Sequence, residues 1–300
     1  MAFVPAYLKL TEKELKEKIK LAFELQEKCR LCPRECGAER GKGQKGACRA
    51  GNTVKIASYG PHFGEERPLV GTHGSGTIFF SYCNLECVFC QNCDISWAGY
   101  GREISTQELA EIMLKLQKRG CHNINLVTPT HYVPQILEAL LTAREKGLCL
   151  PLVYNCGGYE SIETLKILDG VIDIYMPDVK YDDSETAQRL SGVKDYPQRV
   201  KEALKEMHQQ VGDLKVDEKG IAKRGLIIRH LVLPGDLAGT KEIMRFIAEE
   251  LSPQSFVNIM RQYHPAHRAR NYPPLNRPVT SHEYEKAVEA AEKVGIIPRS

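Results

Sequence analysis

A chain of 300 residues with 42% apolar content is long enough to bury the core of one large α/β domain. Its formal net charge is only +3, so the composition calls for neither nucleic acid nor an anionic membrane as partner. The N-terminus lacks the apolar stretch of a secretion signal, and no run approaches the ~20 consecutive apolar residues of a membrane span, so the chain reads as cytoplasmic.

Residues 11–28 form an amphipathic helix, with Thr11 and Glu14 as its capping box. Residues 29–52 are rich in Cys, Gly, Lys and Arg and read as a metal-held loop. A short strand is expected at 54–58, followed by a turn region at 71–76. From there the pattern alternates. Strands are expected at 77–82, 123–128, 150–155, 171–177, 226–233 and 256–263. Helices are expected at 107–119, 133–146, 162–168, 184–190, 196–211, 241–251 and 282–294. Residues 212–225 read as a β-hairpin with its turn at Lys219-Gly220. Short apolar, β-branched strands alternating with longer helices are the signature of a parallel sheet of βα units. Six units are too few for the closed eight-fold barrel. The predicted fold is therefore α/β: a partial (β/α)6 parallel barrel over 73–300, with an N-terminal Cys-rich metal-binding extension over 1–72.

Eight of the eleven cysteines precede residue 100. Close CxxC-type grouping in a chain of this size, with no secretion signal, favours metal binding over a disulfide scaffold. Cys83-Asn-Leu-Glu-Cys87-Val-Phe-Cys90 directly follows the first parallel strand. Three thiolates from one short loop can hold three irons of a [4Fe–4S] cubane and leave the fourth open. An open iron can chelate the amino and carboxylate groups of S-adenosylmethionine (SAM). A structural zinc site normally takes four ligands from paired hooks, which the three-then-two spacing does not offer. Cys93 continues the series and reads either as a fourth cap or as a buried free thiol.

The CxxxCxxC loop resembles that of the radical SAM superfamily. The run Cys90-Gln-Asn-Cys-Asp-Ile-Ser, with CRLCPRECGAER, IDIYMPDVKYDD and IIRHLVLPG elsewhere, resembles the PflX-type homologues of the pyruvate formate-lyase activating enzyme. The resemblance implies a radical enzyme that cleaves SAM and takes a hydrogen from a substrate. It implies an external electron donor of flavodoxin or ferredoxin type and a glycyl-radical protein as one class of target. Another peptide or a metabolite is the alternative target. A non-catalytic iron–sulfur or zinc protein is the alternative from a different class. Two runs differ from those of the activating enzymes. His73-Gly-Ser-Gly-Thr77 stands where proven activating enzymes carry DGPG-x-R, and Thr128-Pro-Thr-His131 replaces the GGE-type motif of many relatives.

Within this resemblance Phe89 falls beside the adenine. Thr128 and Thr130 offer carbonyls and hydroxyls to the ammonium of SAM. Asn155 faces the ribose. Asp178 and Lys180 share a face of their strand by alternation, and the resemblance implies that Lys180 pairs with the carboxylate of SAM. One of Arg229 and His230 faces the interior; His230 is the choice for the cofactor side. His131 reads as a proton donor or as an N-cap. Tyr263, His264 and His267 read as the substrate mouth or as loop packing.

Cys29, Cys32, Cys36 and Cys48 offer four thiolates for a second metal site, a cluster or zinc. The basic residues around them have no aromatic platform for nucleic acid and read as a solvated loop.

Overall fold

The computed structural model describes residues 3–299. In chain order the elements are α1 (Glu12–Glu27), β1 (Val54–His62), α2 (Arg67–Val70), β2 (Ser75–Phe80), α3 (Cys93–Ser96), β3 (Arg102–Ile104), α4 (Thr106–Lys118) and β4 (Ile124–Val127). There follow α5 (Val133–Glu145), β5 (Leu152–Cys156), α6 (Ile162–Leu168), β6 (Ile174–Pro177), α7 (Ser184–Ser191) and α8 (Tyr196–Val211). The chain closes with β7 (Lys215–Val216), β8 (Ala222–Leu231), α9 (Thr240–Glu250), β9 (Phe256–Met260) and α10 (Ser281–Glu292). The capping box at Thr11 is formed: its side chain accepts from the Glu14 N–H, and the Glu14 carboxylate accepts from the Thr11 N–H.

β2, β4, β5, β6, β8 and β9 pair in parallel, each with the next in the chain. β1 and β3 extend the β2 edge antiparallel, and β9 pairs with β8, so the sheet stays open rather than closing into a ring. This is the expected partial barrel. The N-terminal part is more closely joined to it than expected. β1 runs to His62 and pairs with β2 as far as Ser75, so a division at residue 72 falls inside a strand pair. β3 was not foreseen; its three residues carry two charges. The hairpin of β7 and β8 is present.

Alternation along each strand sorts side chains to two faces. Outward residues pack under the helices in one large core. Inward, Val153, Ile174, Met176, Ile227 and Phe256 form a small second core with Leu69 of α2. Leu69 is fully buried, so the β1–β2 connection plugs the barrel floor. Burying such a side chain contributes about 2 kcal/mol. Two positions further along the same faces, the inward residues become polar: Asn155, Asp178 and Arg229. The apolar floor and polar rim place the site at the C-terminal strand ends. Among the described residues, no helix is long and apolar enough to cross a membrane.

Candidate active site

The ends of the parallel strands open into a cavity of about 250 Å³. Cys83, Cys87 and Cys90 all line it, together with Phe89, Thr128, Asn155, Asp178, Lys180 and Arg229. The loop that carries the thiols is docked by its backbone. Glu86 and Val88 donate their N–H groups to Ser191 and Leu190 at the end of α7. Each sulfur also has a polar neighbour. The Leu85 N–H donates to Cys83 Sγ (3.4 Å), Ser191 Oγ donates to Cys87 Sγ (3.0 Å), and Ser96 Oγ lies 3.1 Å from Cys90 Sγ.

Burial pushes the Cys83 and Cys87 thiols up, and the Lys180 ammonium works against that at both. A bound cation reverses the effect of burial, because a coordinating thiol is deprotonated outright. Soft sulfur donors, hydrogen bonds aimed at them and a nearby ammonium suit an iron–sulfur cluster. Among the described residues, no three His, Cys, Asp or Glu side chains are gathered as the ligands of a single ion. A cubane holds its thiolates at separate corners.

The cavity wall opposite the loop is an ion network. Asp178 accepts from Lys180 Nζ at 2.8 Å and from Arg229 Nε at 2.8 Å. Arg229 also donates to Asn155 Oδ1 (2.8 Å) and to Glu65 (3.3 Å). Burial tends to raise the Asp178 carboxyl, but Arg229 and Lys180 outweigh it and hold it below the usual range. Lys180 is desolvated too, yet Asp178 keeps it charged.

Phe89 packs edge-on to Tyr181 and Tyr263, with ring centroids 6.3 and 6.0 Å away. Tyr82 (φ 75°) and Thr128 (φ 59°) both adopt left-handed backbone at the ends of neighbouring strands, and both line the cavity. For a β-branched residue such as Thr128 this conformation is an outlier, with strain of about 1–3 kcal/mol.

Several predicted residues lie elsewhere. His230 is fully buried and faces outward, with Nδ1 on the Val179 carbonyl and Nε2 on Thr240 Oγ1. Arg229 takes the inward position because it shares a face with Ile227 of the inner core. Thr130 is also buried and donates to Glu160 rather than to the cavity, since the chain leaves β4 in a 3-10 turn. His131 is neither exposed nor at the cavity; its Nε2 meets the Ser81 carbonyl, and burial pushes it down to about 3. Cys93 is partly exposed at the start of α3 rather than buried. His264 contacts Gln91, and His267 stacks on Trp97. Tyr263 is buried and donates to the Leu275 carbonyl.

Sequence reasoning did not single out Ser96, Ser191 or Glu160. Glu160 is buried behind β5, where burial raises its carboxyl to about 7 against the hydrogen bonds of Thr130, Tyr154 and Cys156. A Glu two residues past Gly158, in a run otherwise buried, was the available signal.

Of the four N-terminal cysteines, Cys36 and Cys48 turn their sulfurs towards the same glycine, Gly46. Arg40 of the same segment is almost fully buried.

Residues 77–247 match the family model described as Radical SAM superfamily. The chain is 36% identical over 292 residues to the uncharacterized protein MJ0674 of Methanocaldococcus jannaschii, covering 93% of this chain and 78% of that one. Among solved structures it resembles a radical SAM methyltransferase from Sphaerobacter thermophilus, with a TM-score of 0.51, 15% identity and 74% of this chain covered. It also resembles Streptococcus suis SuiB bound to the precursor peptide SuiA, with a TM-score of 0.48, 16% identity and 71% of this chain covered. The chain spans 65% and 43% of those two structures' own lengths, and the first likeness concerns the fold alone.

Proposed function

The chain belongs to the Radical SAM superfamily, and from that premise we propose that Cys83, Cys87 and Cys90 hold its [4Fe–4S] cluster and that the cavity behind them takes SAM. When bound, the two supply a one-electron cleavage of a carbon–sulfur bond that yields a 5′-deoxyadenosyl radical able to take a hydrogen from a substrate. The observation that carries this reading is the shared cavity: three thiols from one loop and the Asp178–Lys180–Arg229 network at the strand ends.

Each residue has a task of its own. Leu85 and Ser191 donate to ligand sulfurs and so tune their basicity. Lys180 presents an ammonium to the carboxylate of SAM, held in place by Asp178. Arg229 braces Asp178 and Asn155. Asn155 accepts from Arg229 at Oδ1, leaving its amide N–H groups for the ribose. Thr128 offers its hydroxyl and carbonyl to the ammonium, and Phe89 offers its ring beside the adenine.

The target we propose is a protein, in the manner of the glycyl-radical activating enzymes that the Cys90–Ser96 run resembles. The electron comes from an external flavodoxin- or ferredoxin-type donor. The test is to incubate the reduced protein and SAM with a purified glycyl-radical enzyme carrying deuterated glycine. A glycyl radical signal and deuterium in 5′-deoxyadenosine support the reading. Cleavage of SAM with neither would contradict the target while leaving the radical chemistry intact.

A further inference from the structure

Cys29, Cys32, Cys36 and Cys48 all lie in the one segment that joins α1 to β1, and all four are free thiols.

Two of the sulfurs face a shared space. A Cβ at position 46 would stand 3.3 Å from Cys48 Sγ and 3.4 Å from Cys36 Sγ, so Gly46 keeps the gap between them open. Arg40 is fixed there through Gly51 (2.9 Å) and His131 (2.7 Å), whose carbonyls accept from Nε and Nη1. A buried guanidinium offsets the charge of thiolates near it. The segment between α1 and β1 contains only a single 3-10 turn, Arg40–Lys42. A metal would cross-link such a segment at four points.

We propose that Cys29, Cys32, Cys36 and Cys48 bind an iron–sulfur cluster, whose corners hold thiolates apart, and that this centre clamps the Cys83–Cys90 loop through Arg34 and Arg49. Arg34 lies in the spacer between Cys32 and Cys36, and its Nε donates to the Asn84 carbonyl at 2.5 Å. Arg49 follows Cys48 directly. Its Nη2 donates to Glu86 at 3.1 Å and its Nη1 to the Trp97 carbonyl at 3.0 Å. Asn84 and Glu86 both belong to the spacer between Cys83 and Cys87. The N-terminal cysteine segment thus grips the spacer of the other group at two points. Arg49 also lies over the Trp97 ring at 4.6 Å, and Trp97 Nε1 donates to the Cys87 carbonyl at 3.3 Å. The clamp, unlike the metal site, rests on the reading of the 83–90 loop as a cluster loop.

The two parts are tested separately, on the full chain reconstituted anaerobically with ferrous iron and sulfide, and in a parallel preparation with zinc. In a Cys83/Cys87/Cys90→Ala variant, elemental analysis is expected to find iron with acid-labile sulfide; zinc alone would overturn the cluster. Adding Cys29/Cys32/Cys36/Cys48→Ser should abolish it. A triple variant that retains no metal overturns the site, whatever the fate of the radical reading. For the clamp, an Arg34→Gln/Arg49→Gln variant keeps every thiol. It should retain the N-terminal metal and the unfolding midpoint. It should lose the cluster whose EPR signal SAM perturbs several-fold faster to an iron chelator. If the double variant folds poorly, Arg49→Lys, which keeps the charge but not the fork, should show an intermediate rate. Loss at the wild-type rate in either variant overturns the clamp.

Discussion

Arg229 Nε donates to Asp178 Oδ1 at 2.8 Å across the β6–β8 edge, while Lys180 Nζ occupies the other carboxylate oxygen at 2.8 Å. Asp178 is thus the only member of the network that touches both cations. Asp178→Asn leaves two largely buried cations without their shared counter-charge. Breaking a buried pair in this way costs about 3–5 kcal/mol. Denaturant unfolding of this variant should show a loss of that order. Lys180→Met, which leaves Asp178 paired with Arg229, should lose much less stability yet bind SAM at least tenfold more weakly, measured by equilibrium dialysis.

Arg229 and His230 are adjacent but face opposite ways, so their variants should separate cleanly. Arg229→Met is expected to weaken SAM binding, since Asp178 and Asn155 lose their brace. His230→Ala removes hydrogen bonds to Val179 and Thr240 and should lower stability by about 2 kcal/mol. SAM affinity per folded molecule should stay at the wild-type level. The reverse pattern would place His230 at the cavity.

Reading the sequence located the βα alternation because the strands are short, apolar and β-branched. The bounds of α6 and α8 follow the apolar spacing closely. The choice between Arg229 and His230 had no such guide. The run Leu226–Leu233 is apolar on both faces, one meeting helices and the other the inner core, so alternation alone cannot tell inside from outside. The need of Asp178 for a cation would have decided it. Thr130 was misplaced because a 3-10 turn rotates the side chains after β4 away from strand parity. The grip of Arg34 on Asn84 spans 50 residues of chain and carries no local pattern.

Glu160 gives stability a definite pH dependence. Its carboxyl is raised from 4.5 to about 7 in the folded state by burial, with Thr130, Tyr154 and Cys156 pulling the other way. The folded chain therefore favours the protonated form. Its contribution is fully present below pH 4.5 and is lost as pH rises to about 7, amounting to about 3 kcal/mol. Glu160→Gln stays neutral throughout. Its stability relative to wild type should grow by that amount between pH 4.5 and 7 and stay level above, as followed by urea denaturation at each pH. A constant difference would show that Glu160 is charged in the folded state.

The central claim is that Cys83, Cys87 and Cys90 together hold the cluster that cleaves SAM. The most direct test is the yield of 5′-deoxyadenosine after anaerobic reconstitution and dithionite reduction, comparing wild type with the Cys83/Cys87/Cys90→Ala variant. The wild type is expected to form 5′-deoxyadenosine and the variant none above the protein-free control. An equal yield from the variant would contradict the account.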